Sequence, residues 1–251
     1  MIFNDAPAGW QDLETRVCQI LTECGCEAER NKHIDLARGG GANIDVYAVD
    51  RTREPRLLIL CECKHWNSRV PQTVVHAFRT VVHESGAHVG YIISSAGFQQ
   101  GAIESAESTN IHLVTWEQFQ EAFYERWFGA MEARLKSVAN EVSELSDYFH
   151  PRTTSVLHAI SERVDELQKL HHRFSAYIHA NLRSFMKSKI QFPLTLSDPR
   201  PGAKDGATIT FPDARSYFDI LLACAPHAIA AYEEFIVKYQ AQDAREGRKP
   251  D

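Results

Sequence analysis

Leu57-Leu58-Ile59-Leu60-Cys61-Glu62-Cys63-Lys64-His65-Trp66 is the stretch whose reading decides the fold. Its Leu and Ile run has the character of a buried strand, yet it ends in Glu-x-Lys. Residues two apart on a strand share a face, so Glu62 and Lys64 point the same way as Leu58 and Leu60. Upstream, Asn43-Ile44-Asp45-Val46 lies in a second short strand, Ala42 to Val49. Pairing of these strands brings two carboxylates and an ammonium to one spot. Carboxylates that cannot both be ionised cheaply suit a divalent cation held by oxygen ligands. A lysine beside them suits a polarised water or a phosphate.

Working outward, Trp10, Leu13, Val17, Ile20, Leu21 and Cys24 recur at helical spacing, and Gly25 ends that helix. Glu14 falls at the margin of the apolar stripe, where a side chain reaches round toward a neighbouring sheet. Arg38-Gly39-Gly40-Gly41 reads as a hairpin or bulge; no helix start follows it, so it is not a phosphate loop. Strands are expected near 28–36, 43–50, 56–64, 89–94 and 111–115. Helices are expected after Pro71, over 98–106 and over 116–128. The order α-β-β-β-α-β-α-β-α predicts an α/β sheet flanked by helices.

Four stretches in this order carry a family resemblance: Trp10-Gln11-Asp12-Leu13-Glu14, Gly39-Gly40-Gly41-Ala42-Asn43-Ile44-Asp45-Val46, Glu62-Cys63-Lys64-His65-Trp66, and Tyr91-Ile92-Ile93-Ser94-Ser95 with its turn Ala96-Gly97-Phe98. Together they resemble the PD-(D/E)xK nuclease superfamily, and more closely its Mrr-like branch found in type IV restriction enzymes, over about residues 10–128. Ile44 stands where the motif's name has proline. The resemblance implies a restriction-endonuclease-like mixed sheet flanked by helices, and a Mg²⁺-dependent endonuclease acting on DNA, with Mn²⁺ as a substitute ion. It implies Asp45, Glu62 and the backbone carbonyl of Cys63 as metal ligands, Lys64 as the group that orients or deprotonates the attacking water, and Glu14 as ligand to a second metal or a metal-bound water. It also implies a role in bacterial defence against foreign DNA. Gln72, in the first turn of the next helix, is a candidate phosphate or metal-water contact. Trp66 is expected to pack, and His76 and His83, seven apart, lie too far apart for one ion.

After Gly129 the periodicity changes. Met131, Leu135, Val138, Val142, Leu145 and Phe149 form one heptad seam; Leu157, Ile160, Val164, Leu167, His171, Phe174 and Ile178 form another. Two long antiparallel helices, a loop over 190–212, a last helix from Asp213 to Gln240 and a disordered tail from Ala244 are expected. The chain thus divides into a nuclease domain, 1–128, and an all-α domain, 129–251, that dimerises, senses a trigger or partner protein, or grips DNA. Arg183, Lys187 and Lys189 lie in a basic stretch, 173–204, whose only acid is Asp198. That stretch is the candidate phosphate grip; a solvated basic face is the plainer alternative. Arg173 and His179 have the spacing of helical HEPN ribonucleases, although a Phe follows the Arg.

The net charge of −6 opposes bulk attraction to nucleic acid. Its distribution is uneven: residues 1–128 carry 11 Lys and Arg against 17 Asp and Glu, whereas 129–251 carry 16 of each. The six cysteines form C-x-C pairs rather than C-x-x-C, which points to reduced, buried thiols. Met1–Trp10 lacks a signal peptide's basic and apolar regions, and no apolar run reaches the length of a membrane span, so a cytoplasmic protein without a membrane segment is expected. The alternatives to a deoxyribonuclease are a catalytically inactive interaction protein on the same fold, and a ribonuclease.

Overall fold

The computed structural model describes residues 1–157, 161–186 and 190–247. These fall into two compact units, Met1–Ala130 and Met131–Asp251. The first opens with α1 (Trp10–Glu23), whose Leu13, Val17, Ile20 and Leu21 are buried. Trp10, expected in that stripe, is exposed because it sits at the first helical position. Gly25, at φ +87°, turns the chain into β1 (Cys26–Asp35). β1 and β2 (Gly41–Asp50) form an antiparallel hairpin, closed by Leu36 N donating to Gly40 O at 3.1 Å. Gly39 and Gly40 take φ +95° and +81° there, which only glycine adopts at little cost.

β3 (Leu57–Lys64) lies antiparallel to β2. β4 (Val89–Ser94) and β5 (Ile111–Thr115) follow in parallel, giving the sheet order β1-β2-β3-β4-β5. The parallel crossovers are made by α2 (Gln72–Glu84) and α3 (Gln100–Ala106), as parallel pairing requires. β3 is central, with Ile59, Leu60 and Cys61 all buried, which explains its unbroken apolar run. One face packs Leu60 and Ile92 against Val75, Phe78 and Val82 of α2. A Cβ on Gly90 would come within 2.9 Å of Ile111, Val82 and Phe78, so glycine is what lets α2 sit this close. The other face meets α1 and the beginning of α4 (Trp116–Ser146), where Phe119 and Phe123 flank the Tyr91 ring at 5.6 and 5.7 Å. The expected mixed sheet and its element order are observed.

The helical half departs from expectation in several ways. Gly129 does not stop a helix; α4 runs through it to Ser146. Phe149, expected in the seam, lies beyond the helix end and is 90% exposed, while Ala139 is buried in place of the half-buried Val138. The second long helix is instead α5 (Pro151–Leu157), α6 (Ser161–Arg173) and α7 (Ser175–Met186), with Ile160 outside the described residues. Phe174 forms the turn between α6 and α7 and is fully buried. Within the expected loop, β6 (Leu194–Ser197) pairs with β7 (Thr208–Phe211). The last helix, α8 (Ala214–Glu246), outruns its expected end and is capped by Asp213, which accepts from Ser216 N, and by Gly247 at φ +70°. α8 is also apolar and long enough to cross a membrane by composition, with a window of mean hydropathy 1.5, contrary to the sequence reading. In this unit it is a core helix: Tyr217, Phe218 and Leu221 are buried, Tyr177 Oη donates to Leu221 O at 2.6 Å, and Asp243 is locked to Arg163 at 2.7 Å.

In the first unit, Arg126 holds three elements together. Its Nη1 reaches Asp50 Oδ2 at 2.6 Å and its Nε donates to Cys24 O at 3.0 Å. Asp50 is 1% exposed. Burial alone would raise its carboxyl, but hydrogen bonds from Arg126 and Thr52 outweigh it and hold the group down at about 2. Arg126→Leu leaves a carboxylate buried without its guanidinium and is expected to cost roughly 2–4 kcal/mol in urea unfolding. Because the folded carboxyl is the more acidic one, this stabilisation is present above pH 3.8 and fades as pH falls toward about 2. The acid limb of a stability–pH curve should therefore flatten in the variant.

Candidate active site

The site begins where the sheet stops being regular. The paired register of β2 with β3 ends at Val46–Cys61. On the other side, β1 pairs through Arg30–Val46 and Lys32–Ile44 but not through Asn31 and Asp45 between them. Asn31 has φ +52°, a conformation asparagine tolerates better than most residues. Asp45 thus sits at an interruption on both its edges. Its Oδ2 accepts a hydrogen bond from Cys63 N at 2.7 Å, occupying a strand donor past the last β2–β3 pair.

On β3 the two-residue spacing does what the sequence implies. Lys64 Nζ lies 2.5 Å from Glu62 Oε1, and both side chains are mostly covered, at 17% and 22% exposure. Burial first, and then the field of Asp45, push the Glu62 carboxyl above its ordinary range, with Lys64 opposing and Glu14 adding to the push. Cys61 and Cys63 are buried, and burial drives both thiols up, so they are protonated fillers. Glu14 is buried on α1, and its carboxylate is taken by Arg30 of β1 at 2.8 Å. Arg30 escaped sequence reading; its signal was an arginine on the half-buried face of the strand, a face it shares with Lys32.

A cleft of about 290 Å³ opens beside Glu62 and Lys64. Ala42, Asn43 and Ile44 form one wall, Val74, Phe78 and Val81 of α2 the other. Trp66 stands at its edge, 40% exposed, with Lys64 Nζ 5.4 Å from its ring centre, so it is less a packing residue than the sequence suggested. Gln72 is exposed, hydrogen-bonded to His76 at 3.3 Å, and does not line the cleft. Arg183 lies on α7 of the other unit, and Lys187 and Lys189 fall outside the described residues. Arg173 and His179 are separated by the break at Phe174. Arg173 Nη2 donates to Arg200 O at 3.1 Å, a structural use that leaves the HEPN spacing without a helical frame.

Among the described residues no three His, Cys, Asp or Glu side chains form a ready metal cage. The donors present still suit one ion well. Asp45 and Glu62 each commit one oxygen, to Cys63 N and Lys64 Nζ, and among the described residues their second oxygens accept no hydrogen bond. Mg²⁺ keeps several waters and is commonly held by one or two carboxylates plus substrate oxygen. The pair fits that ion, and does not fit a full protein cage of the Zn²⁺ kind.

The raised Glu62 carboxyl has a consequence for stability. A folded-state value above the unfolded one stabilises only while the group is protonated, and this is lost as pH rises through the raised value. At neutral pH the carboxylate therefore opposes folding. Glu62→Gln, which keeps an oxygen for Lys64, is expected to raise the Tm of the metal-free protein at pH 7–8, by roughly 2–4 °C. The gain should shrink when the melt is repeated near pH 5.

Residues 7–123 match the family model of the Mrr catalytic domain, described as a restriction endonuclease. No curated protein matches the chain. Among solved structures, similarity is found to the protein of unknown function AF1548, at 20% identity and TM-score 0.35, over 45% of this chain and 65% of that one. It is also found to MspJI restriction endonuclease, solved with a 27-mer oligonucleotide, at 15% and 0.30, over 46% and 27%. The DNA modification-dependent restriction endonuclease AspBHI aligns at 10% and 0.29, over 51% and 40%. The chain spans less than two thirds of each of these. Asp45, Glu62, Lys64 and Glu14 all lie inside this match, so the restriction-endonuclease family model spans every residue of the candidate site.

Proposed function

We propose that this chain is a Mg²⁺-dependent endonuclease that hydrolyses DNA phosphodiester bonds, with Mn²⁺ able to replace Mg²⁺, and that it acts in the cytoplasm in defence against foreign DNA. The observation that carries the reading is the junction at Asp45. There, Asp45 is held by Cys63 N and acts on Glu62 through its field, while Glu62 pairs with Lys64 on the lining of a cleft, inside a restriction-endonuclease family match.

Asp45, Glu62 and the Cys63 carbonyl would hold the ion. When bound, Mg²⁺ offsets charge on the phosphate and acidifies a water. The chain's own residues do the rest. The Cys63 N–H fixes the Asp45 rotamer. Glu62 keeps the Lys64 ammonium at the mouth of the cleft, where it orients the attacking water and meets charge developing on the phosphate. Glu14, tied to Arg30, supports the site from behind through its field. The helical unit supplies a second copy. α8 leaves Ala223, Pro226, Ala230 and Val237 exposed, with Glu233 and Glu234 between the last two, and a partner α8 would cover this side. Two copies provide two sites for two strands.

Asp45→Ala, Glu62→Ala and Lys64→Ala are each expected to lower the cleavage rate of purified full-length protein on plasmid DNA by ~10³-fold or more, with little further loss in the double variants. Full activity in any single variant in excess Mg²⁺ would remove that residue from the chemistry. Glu14→Gln should lose only about tenfold, most visibly at limiting Mg²⁺. Cleavage of RNA but not DNA in the same assay would move the substrate class to RNA. Light scattering at tens of micromolar should return a dimer mass; a monomer would leave double-strand cutting to two visits.

A further inference from the structure

The first unit is acidic, yet the segment from Cys63 through His83 contains no Asp or Glu. It carries Lys64, Arg69 and Arg79, with His65, His76 and His83. In the fold this segment runs from the active site along α2. One side of α2, through Val74, Phe78 and Val81, walls the catalytic cleft. Its exposed side presents Thr73, His76, Arg79, Thr80 and His83. Near the helix end a second cavity of about 500 Å³ opens, lined by Arg79, Thr80, His83 and Glu84 of α2, Arg38 from the β1–β2 hairpin, and Asn110 before β5.

We propose that this cavity is a phosphate subsite, which holds the DNA strand a few nucleotides from the bond being cut. The inference rests on the nuclease reading above and extends it to how the substrate is gripped. Three observations carry it. First, the hairpin is pinned to the helix end, because Ala37 N donates to Glu84 O at 3.2 Å, so Arg38 is delivered to the cavity by backbone structure. Second, Arg79 is uncommitted. Arg79 and His83 make no ion pair or side-chain hydrogen bond among the described residues, and Arg38, 82% exposed, approaches Glu84 at 3.8 Å. That acid is the one negative group lining the cavity, and Arg38 offsets it. The partial negative charge at the C-terminal end of α2 opposes an anion by about half a charge, which Arg79 outweighs.

Third, the spacing fits a nucleic-acid strand. The cleft wall on α2 runs from Val74 to Val81, so Arg79 and His83 lie at most five and nine residues from its lining. At ~1.5 Å per residue this is up to roughly 14 Å along the helix axis. One DNA strand places a phosphate about every 3.4 Å of axial rise, so the subsite would take a phosphate within about four nucleotides of the cleft. The lysine-rich stretch of the helical unit is not needed for this grip.

The test uses the full chain carrying Lys64→Ala, in Mg²⁺, so that binding is read without cleavage. Anisotropy with a labelled duplex is measured across a salt series for this protein, for Arg38→Ala/Arg79→Ala added to it, and for Arg51→Ala/Arg53→Ala added to it. The last pair removes the same charge from the β2–β3 connection. The subsite variant is expected to bind roughly tenfold or more weakly, and to lose about one to two from the slope of log K against log salt, since each phosphate contact contributes ~0.9. The control should keep its slope, and Arg79→Lys should retain most of the binding. In the Lys64-intact chain the subsite pair should raise KM and leave kcat near its starting value. Equal losses from both pairs would mean bulk charge, and unchanged slopes in both would mean no contact; either overturns the subsite while wild-type cleavage stands. Absence of both DNA cleavage by the wild-type chain and DNA binding would overturn the subsite together with the function it rests on.

Discussion

The hydrogen bond from the Cys63 N–H to Asp45 Oδ2 is the contact on which the site depends. A buried backbone donor left without an acceptor costs on the order of 1–3 kcal/mol, so the donor past the end of the β2–β3 ladder needs a partner. Asp45 supplies it with a side chain in place of a carbonyl. The exchange locks one carboxylate oxygen on the strand and leaves the other directed away from it. The interruption that makes this necessary is shared with β1, where Asn31 adopts a left-handed backbone opposite Asp45. Local distortion of this kind is costly, and persists where the surrounding sheet over-determines it.

Charge is handled differently in two parts of the same unit. At Asp50 a buried carboxylate is fully answered by Arg126 and Thr52, and its effect is to join α1, β2 and α4. At Glu62 the compensation is incomplete: one lysine faces a carboxylate that also feels Asp45 and Glu14. The first arrangement stabilises the fold. The second holds negative charge in excess of what the protein neutralises, and the natural complement is a cation brought with the substrate. Perturbed carboxylates in a cleft are characteristic of functional sites for this reason. The exposed side of α2, with Arg79, lies on the other side of that helix from the cleft wall of Val74, Phe78 and Val81.

The nuclease-like half was legible in the sequence because its signals are local. The Leu57–Leu60 run, the Glu62-x-Lys64 spacing and the glycines at 39–41 each impose their own geometry, and β4 and β5 begin and end where the apolar runs do. Glu14 was placed near the site by its helical angle together with the family resemblance, but its partner Arg30 was not, because a strand–helix ion pair has no sequence periodicity. The interruption at Asn31 was equally invisible, since asparagine on an edge strand has many uses. In the helical half, periodicity found the apolar positions and misplaced the helix ends. Gly129 costs a long helix only about 1 kcal/mol and is carried through by the packing on either side. Phe174 fits the heptad and is buried, yet it forms a turn, because burial constrains its side chain and not its backbone.

On the proposed function, Asp45 and Glu62 hold a divalent ion beside the cleft. Electron paramagnetic resonance of Mn²⁺ titrated into the full chain, with a duplex whose phosphates are phosphorothioate-protected against cleavage, reads that ion directly. The expected result is a bound Mn²⁺ population for the wild-type chain, strengthened by the duplex, and its loss in Asp45→Asn with the melting transition intact. Mn²⁺ binding of equal strength in Asp45→Asn would place the ion elsewhere and contradict the assignment of this site.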